Sequence, residues 1–515
     1  MSARVHIRNL AFNWGGHVAT LLVMFFLSPY IVGKLDAATY GIWSLLNVLT
    51  GYMGIFDLGV RASVGRHVAL YLGKGDHQGV DETIRAGFGF FTLIGGLILL
   101  SGIILGWIFP LIFKGVGGGN YAVVRLLLPI LSVNIWISII SSIYSSVLAA
   151  HDRFDIARIV DLFVLIVRTI LTVWVLEVGW GLWGLTIAIL VGNIFALIGN
   201  KIFATRVYDG LKTFPLLYSK KRFSELIGYG VPAFISNASV KIIGQSDLVI
   251  IGILLSVSDV REYNVGAMLI YYSTTFIVII GRTFFPEMQR TVAKGKLGEA
   301  KHIFYRQLQT SLCFGILMFV GFAFFSKSFI HLWMFQEGFG LESVASAAKI
   351  MTILSISKII TLYIAPCKFA LASSGQVNYY AKITLMEAVI NLIFSIFFVT
   401  VLHSGIVGVA FGTLLSRLCV SIIIPKYLLK EWKINFVSYA KKALIPGIIS
   451  IGLFSITCYL LQTLWFPSTW MIFIVHIILA CTMWFIIASY LLIPVEIIVK
   501  AKTFFKKRFL FKVRS

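Results

Sequence analysis

Arg168, Lys241, Arg282, Lys358, Lys368 and Arg417 each lie inside a long apolar stretch of the chain. A charge near the middle of a membrane-spanning helix costs about 2.5–3.5 kcal/mol on insertion scales, so it persists where it pairs, lines a polar cavity or handles a ligand. Counting inward at about 1.5 Å per residue, Arg168, Lys241, Lys358 and Arg417 fall near mid-depth. Arg282 and Lys368 fall in the third nearest the basic loops. The acids at comparable depth are Asp161, Asp247 and Glu387. Six cations against three acids point to an anionic ligand.

The spacing sorts these charges. Asp161 and Arg168 are seven apart, share a helix face and could form a structural pair. Arg417 and Glu387 sit on neighbouring stretches and could pair across them. Lys241 and Asp247, six apart, point to different faces. Lys368 is close enough to the surface to snorkel, and Lys358 has no obvious acidic partner. Lys241 is the strongest candidate to face a polar cavity. His17 reads either as a cavity donor or proton switch or as a polar residue packed between helices. Trp43, Tyr52, Tyr271 and Tyr272 could stack on sugar rings or simply belong to a membrane bundle.

Covalent and metal chemistry find little support. Cys313, Cys367, Cys419, Cys458 and Cys481 are odd in number, lie within apolar stretches and show no CxxC spacing. Lys114-Gly-Val-Gly-Gly-Gly119 is a flexible turn rather than a phosphate cradle, because no Lys-Ser/Thr closes it. No HExxH occurs, and His151-Asp-Arg153 lacks a kinase context. No metal, cofactor or ATP hydrolysis is expected.

The elements that must position these residues are membrane helices. Of 515 residues, 59% are hydrophobic and 13% charged, against about 25% charged in soluble domains. Apolar stretches fall near 11–33, 40–57, 86–113, 121–148, 156–177, 181–204, 231–255, 264–286, 308–326, 349–372, 381–402, 405–425, 444–463 and 470–493. Each is long enough to cross the hydrocarbon or nearly so. The first is read as a retained helix and not a cleaved signal. Lys and Arg crowd the loops after the second, fourth, sixth, eighth and twelfth stretches and the tail. The positive-inside rule then places both termini in the cytoplasm. The net charge of +23 is therefore topological, with attraction to anionic membrane lipids as a by-product, and nucleic-acid binding is excluded.

The two halves repeat. Ile130-Leu-Ser132 matches Ile353-Leu-Ser355, Gly181-Leu-Trp-Gly184 matches Gly405-Ile-Val-Gly408, and Gly73-Lys-Gly75 matches Ala293-Lys-Gly295, all 220–224 residues apart. The expected organisation is a six-helix bundle at 1–204, a connector at 205–230 and a second bundle at 231–425. Two additional helices at 426–493 and a basic tail at 494–515 follow. Such repeats place substrate sites near mid-membrane.

Leu35-Asp-Ala-Ala-Thr-Tyr40-Gly41-Ile-Trp43, Asp57-Leu-Gly-Val-Arg61 and Tyr71-Leu-Gly-Lys-Gly-Asp76 resemble Wzx-type polysaccharide flippases, the O-antigen and capsule transporters. These belong to the multidrug/oligosaccharidyl-lipid/polysaccharide exporter superfamily. The resemblance implies an all-α polytopic membrane protein of about fourteen transmembrane helices. Two pseudo-symmetric six-helix bundles would surround a central cavity, with two extra C-terminal helices. It implies translocation of a polyprenyl-pyrophosphate-linked oligosaccharide across the cell inner membrane, with a polysaccharide polymerase as a further partner.

Arg61 and Arg282 each precede a matching Lys-Gly by 12 or 13 residues. In this superfamily such positions flank the cavity mouth, where two guanidinium forks suit a pyrophosphate. The opposing reading is snorkelling to lipid phosphate, with Asp57 as a local partner for Arg61. Arg61, Lys241, Arg282, Lys358, Arg168 and His17 are the expected substrate contacts, and Asp57, Asp161, Asp247, Glu387 and Arg417 the structural or coupling charges. A cation-coupled drug exporter is the nearest alternative, although Ala11 to Gly33 holds no carboxylate. A membrane polymerase or ligase is the third, opposed by the short far-side loop Ser326 to Ala348.

Overall fold

The computed structural model describes residues 3–57 and 59–492, with side chains described for all of these except 3–14, 17, 62, 228–237, 239 and 240. His17 and the tail at 494–515 thus lie outside what is described. Every described element is a helix, as a hydrocarbon environment demands of backbone groups that cannot bond to water. Eleven of the described helices are long and apolar enough to cross a membrane, and Val18–Lys34 is a shorter apolar one. The chain is an all-α polytopic membrane protein.

It divides into two compact units, Met1–Arg261 and Glu262–Ser515. The first holds α1 (Ala3–Lys34), α2 (Ala37–Met53), α3 (Val60–Gly73), α4 (His77–Ile112), α5 (Gly119–Ala150), α6 (Phe154–Glu177), α7 (Gly181–Val207) and α8 (Lys220–Leu254). α5 packs between α4 and α7, α6 packs against α7 and α1, and α8 lies on α2, α3 and α4. Tyr30 and Lys34 of α1 close on Glu177 of α6 at 2.6 and 2.9 Å.

The Leu35–Trp43 motif has a local cause. Asp36 caps α2 by accepting from the Thr39 backbone N–H at 3.0 Å and its hydroxyl at 2.5 Å. Gly41 lies where a side chain would strike the Val257 carbonyl, so only glycine allows that approach.

The segment expected as a connector is partly helical and partly strapped down. α7 runs on to Val207 and α8 begins at Lys220. Between them, Pro215 accepts from Arg85 Nε at 2.6 Å and Leu217 donates to the Arg85 carbonyl at 3.3 Å. Arg222 then donates to Glu82 at 2.7 Å, Glu225 at 2.8 Å and the Tyr71 hydroxyl at 2.6 Å. The glycine-rich turn is also held, since Lys114 bonds Gly252, Leu254 and Val257 through backbone and ammonium.

The second unit is built from α9 (Val257–Ala293), which starts just before the boundary, α10 (Leu297–Met334), α11 (Leu341–Ser373), α12 (Val377–Thr400), α13 (Gly405–Val420), α14 (Ile423–Glu431), α15 (Phe436–Tyr439), α16 (Ile445–Leu464) and α17 (Trp470–Leu491). α10 packs on α11, α13 on both α11 and α12, and the last two helices on α10. Trp484 Nε1 donates to the Cys313 carbonyl at 2.9 Å, fastening α17 to α10. The far-side loop shortens to 335–340 because both flanking helices extend into it.

Repeated residues have repeated local geometry. Gly75 and Gly295 have φ of 70° and 71°. Ser132 and Ser355 are both fully buried and bond the carbonyl four residues back at 2.8 and 2.6 Å.

Candidate functional site

The site begins where a helix stops inside an apolar stretch. α2 ends at Met53, a tight turn covers Gly54–Asp57, and α3 starts afresh at Val60. Gly59 has φ 73°, in the left-handed region that strains other residues. Asp57 Oδ1 accepts from the Gly59 N–H at 2.9 Å. Asp57 and Gly59 therefore make the break. They set Arg61 in the first turn of α3, its guanidinium 3.9 Å from the Asp57 carboxylate.

Lys241 of α8 reaches the other end of the break. Its Nζ donates to the Gly51 carbonyl at 2.6 Å. The last carbonyls of a helix lack intrahelical partners and carry partial negative charge, so they can hold an ammonium. An ammonium has three N–H donors, and Gly51 takes one.

Asn193 of α7 donates to Asn134 of α5 at 2.8 Å. This amide pair, with Thr50, Ser138, Asp57, Arg61 and Lys241, lines a cavity of about 440 Å³ in the first unit. Two cations and one carboxylate leave it a net charge of +1. The volume is within the range of small-molecule sites.

Of the expected residues, the structure brings together Arg61, Lys241 and Asp57. Asn134 and Asn193 were missed, although an amide in an apolar stretch is itself costly and expected to pair across helices. Arg168 does not line the cavity: it is half-buried on α6 with its Cβ packed on Gly192 of α7. The expected Asp161–Arg168 pair is not formed. Asp161 is exposed and bonds Arg158 at 3.0 Å, because Arg158 is one turn away and Arg168 two. Asp247 is buried on α8.

Other expected residues lie in the second unit. Arg282 sits within the unbroken α9, whereas Arg61 stands at the start of its helix; both are exposed. Lys358 Nζ stands 6.0 Å over the Tyr271 ring, a cation–π distance. Glu387 is fully buried and meets Arg417 at 2.8 Å, as expected, in a contact that is ionic rather than a directed hydrogen bond. Lys368 does not simply snorkel: its Nζ approaches the other Glu387 oxygen at 3.9 Å. This cluster ties α11, α12 and α13.

Comparisons with known proteins agree with this picture. Residues 93–337 match the family described as Polysaccharide biosynthesis protein. The chain is 23% identical over 291 residues to the putative O-antigen transporter of Shigella flexneri, covering 55% of this chain and 66% of that one, just under two thirds of the relative. It is 24% identical over 415 residues to the probable low-salt glycan biosynthesis flippase Agl15 of Haloferax volcanii, covering 79% and 80%. Among solved structures, the lipid II flippase MurJ superposes with a TM-score of 0.69 at 18% identity, over 95% of this chain and 98% of that one. An inward-facing multidrug resistance MATE family transporter gives 0.69 at 12% identity, over 81% and 98%. The resemblance to polysaccharide flippases is borne out, and the fold is the one these transporters share.

Proposed function

We propose that this protein is a flippase that moves polyprenyl-pyrophosphate-linked oligosaccharide units from the cytoplasmic to the periplasmic leaflet of the cell inner membrane by alternating access. It is a transporter and not an enzyme, as are the proteins it resembles. One observation carries the reading: Arg61 and Lys241 share a 440 Å³ cavity with one carboxylate and an amide pair. A pyrophosphate diester is dianionic, and a guanidinium fork beside an ammonium with free donors suits its oxygens. The Asn134 and Asn193 amides and the Thr50 and Ser138 hydroxyls suit oxygen-rich ligands.

In this reading Arg282, Lys358 and Arg168 extend the cationic path, and His17 is a further contact. Residues 1–204 and 231–425 are the two rocking bundles, joined by 205–230, with 426–493 and the tail 494–515 as additions. Both termini face the cytoplasm, and a polysaccharide polymerase receives the product. Drug export on the same fold is the second reading, favoured by the equal fold likeness to a MATE transporter. The net positive cavity opposes an organic-cation substrate.

Deletion of the protein, with tracking of the lipid-linked intermediate, tests the proposal. Accumulation on the cytoplasmic leaflet is expected. Unpolymerised units reaching the periplasm would instead indicate a polymerase, and unchanged distribution would refute the flippase.

A further inference from the structure

We infer that α9 is a hinge in its closed state: it opens at Gly281–Thr283, and the Phe369 ring of α11 holds it straight. The repeat gives the first reason. Gly281 stands 222 positions after Gly59, inside the spacing that relates the two halves. In the first unit the chain breaks there, between α2 and α3, with Gly59 in the left-handed region. In the second unit α9 runs through the matching position without a break.

The residues of α9 at this point are nevertheless those of a helix end followed by a helix start. Glycine is the common residue just past a helix C-terminus, and threonine is a favoured N-cap. Proline is tolerated in a first turn, where its N–H would have no intrahelical partner anyway. Gly281, Thr283 and Pro286 fall in that order. In the straight helix each of them is a defect. Gly281 is a poor helix former. Pro286 leaves the Arg282 carbonyl without the donor four residues on. The Thr283 hydroxyl donates to the Ile279 carbonyl at 3.0 Å, a back-bond that weakens and bends helices.

Packing supplies what these residues withhold. A side chain at Gly281 would strike the Phe369 ring, so the bare backbone is the seat of that ring. One turn on, Phe285 meets the same ring at a centroid distance of 6.1 Å. Phe369 thus bridges the turn that contains Gly281, Arg282 and Thr283. Close packing alone accounts for Gly281, but not for Thr283 and Pro286, which are exposed. With the ring withdrawn, the chain breaks at Gly281–Thr283. Arg282 then stands at a helix junction, as Arg61 does in the first unit.

The test is the distance between spin labels at Thr275→Cys and Ala293→Cys, read by pulsed electron resonance. The full chain, otherwise freed of cysteine, is used in lipid nanodiscs. Both positions are exposed and flank the hinge. A continuous helix sets their Cα atoms about 27 Å apart. The parent should show that distance and a shorter population. Phe369→Ala should raise the shorter fraction about threefold, as the loss of one aromatic contact implies. Pro286→Ala, which restores an N–H for the Arg282 carbonyl, should abolish it. A single long distance in both the parent and Phe369→Ala overturns the hinge, as does a short population that Pro286→Ala leaves unchanged. If Phe369→Ala does not fold, the short population of the parent and its loss in Pro286→Ala decide. Because the readout is a distance within one helix and needs no ligand, the outcome is independent of the flippase reading.

Discussion

Lys241 donates to the Gly51 carbonyl at 2.6 Å, joining residues 190 positions apart. The bond explains how a mid-depth lysine is held: the C-terminal end of α2 accepts from its ammonium, in the cavity that the Asp57 carboxylate also lines. It also aims the remaining ammonium donors at the cavity that Arg61 shares.

Lys241→Ala should lower surface glycan at least tenfold, since one charge-assisted hydrogen bond is worth about 1.5–3 kcal/mol. Stability should fall by about 1–3 kcal/mol because the Gly51 carbonyl loses its partner. Lys241→Arg should recover part of the export. Flow cytometry with a glycan-specific lectin, alongside melting in detergent, reads both effects. Full export from a stably expressed alanine variant would sink the cationic path.

Asp57 does two jobs that substitution can separate. Asp57→Asn keeps an acceptor for the Gly59 N–H while raising the cavity charge from +1 to +2. It should bind a pyrophosphate-linked lipid more tightly than the parent. Asp57→Ala removes the turn as well and should lose both binding and thermal stability. Titration with a fluorescent polyprenyl pyrophosphate distinguishes the two; identical behaviour would refute the division of roles.

Glu387→Gln strands Arg417 and Lys368 without their carboxylate. Breaking a buried ion pair from one side costs about 3–5 kcal/mol, so a marked drop in melting temperature is expected. The double variant Glu387→Gln/Arg417→Met should recover much of it. No recovery would mean the cluster is more than a structural tie.

Asp36 offers a pH-dependent check on the Leu35–Trp43 motif. Burial works against its charge, but the Thr39 hydroxyl and the Thr39 and Ala38 backbone N–H groups outweigh it and hold the carboxyl below the usual range. The folded pKa is thus below the unfolded one, about 3.9. The stabilisation is full above that value and is lost as pH falls through the folded pKa. Asp36→Ala should cost about 1 kcal/mol at neutral pH. The gap between Asp36 and Asp36→Asn melts should shrink below about pH 4.

Arg222→Ala should expose residues 208–219 to limited proteolysis, since the guanidinium joins Glu82, Glu225 and Tyr71 at the foot of that strap. Arg222→Lys should rescue poorly, because an ammonium lacks the fork that serves several partners at once. Equal cleavage of all three proteins would show that the Arg85–Pro215 contact suffices.

The class of molecule was legible from local sequence alone. Long apolar stretches admit only helices in hydrocarbon, and that argument needs no tertiary information. The motifs carried the resemblance to polysaccharide flippases, and the Glu387–Arg417 pair followed from scarcity of partners at depth. Spacing did less well wherever a choice of partner was involved. Asp161 took the nearer Arg158 over Arg168, and Lys368 joined Glu387.

What only the tertiary structure decided is which polar groups share a space. Asn134, Asn193, Arg61 and Lys241 come from four helices, and nothing in their spacing relates them. Helical periodicity assigns a residue to a face of its own helix, but the neighbour of that face is chosen by packing across the bundle. Even the backbone carbonyl that holds Lys241 is invisible to sequence reading. It becomes a partner only because α2 breaks at Gly54–Gly59 and α8 packs beside the break.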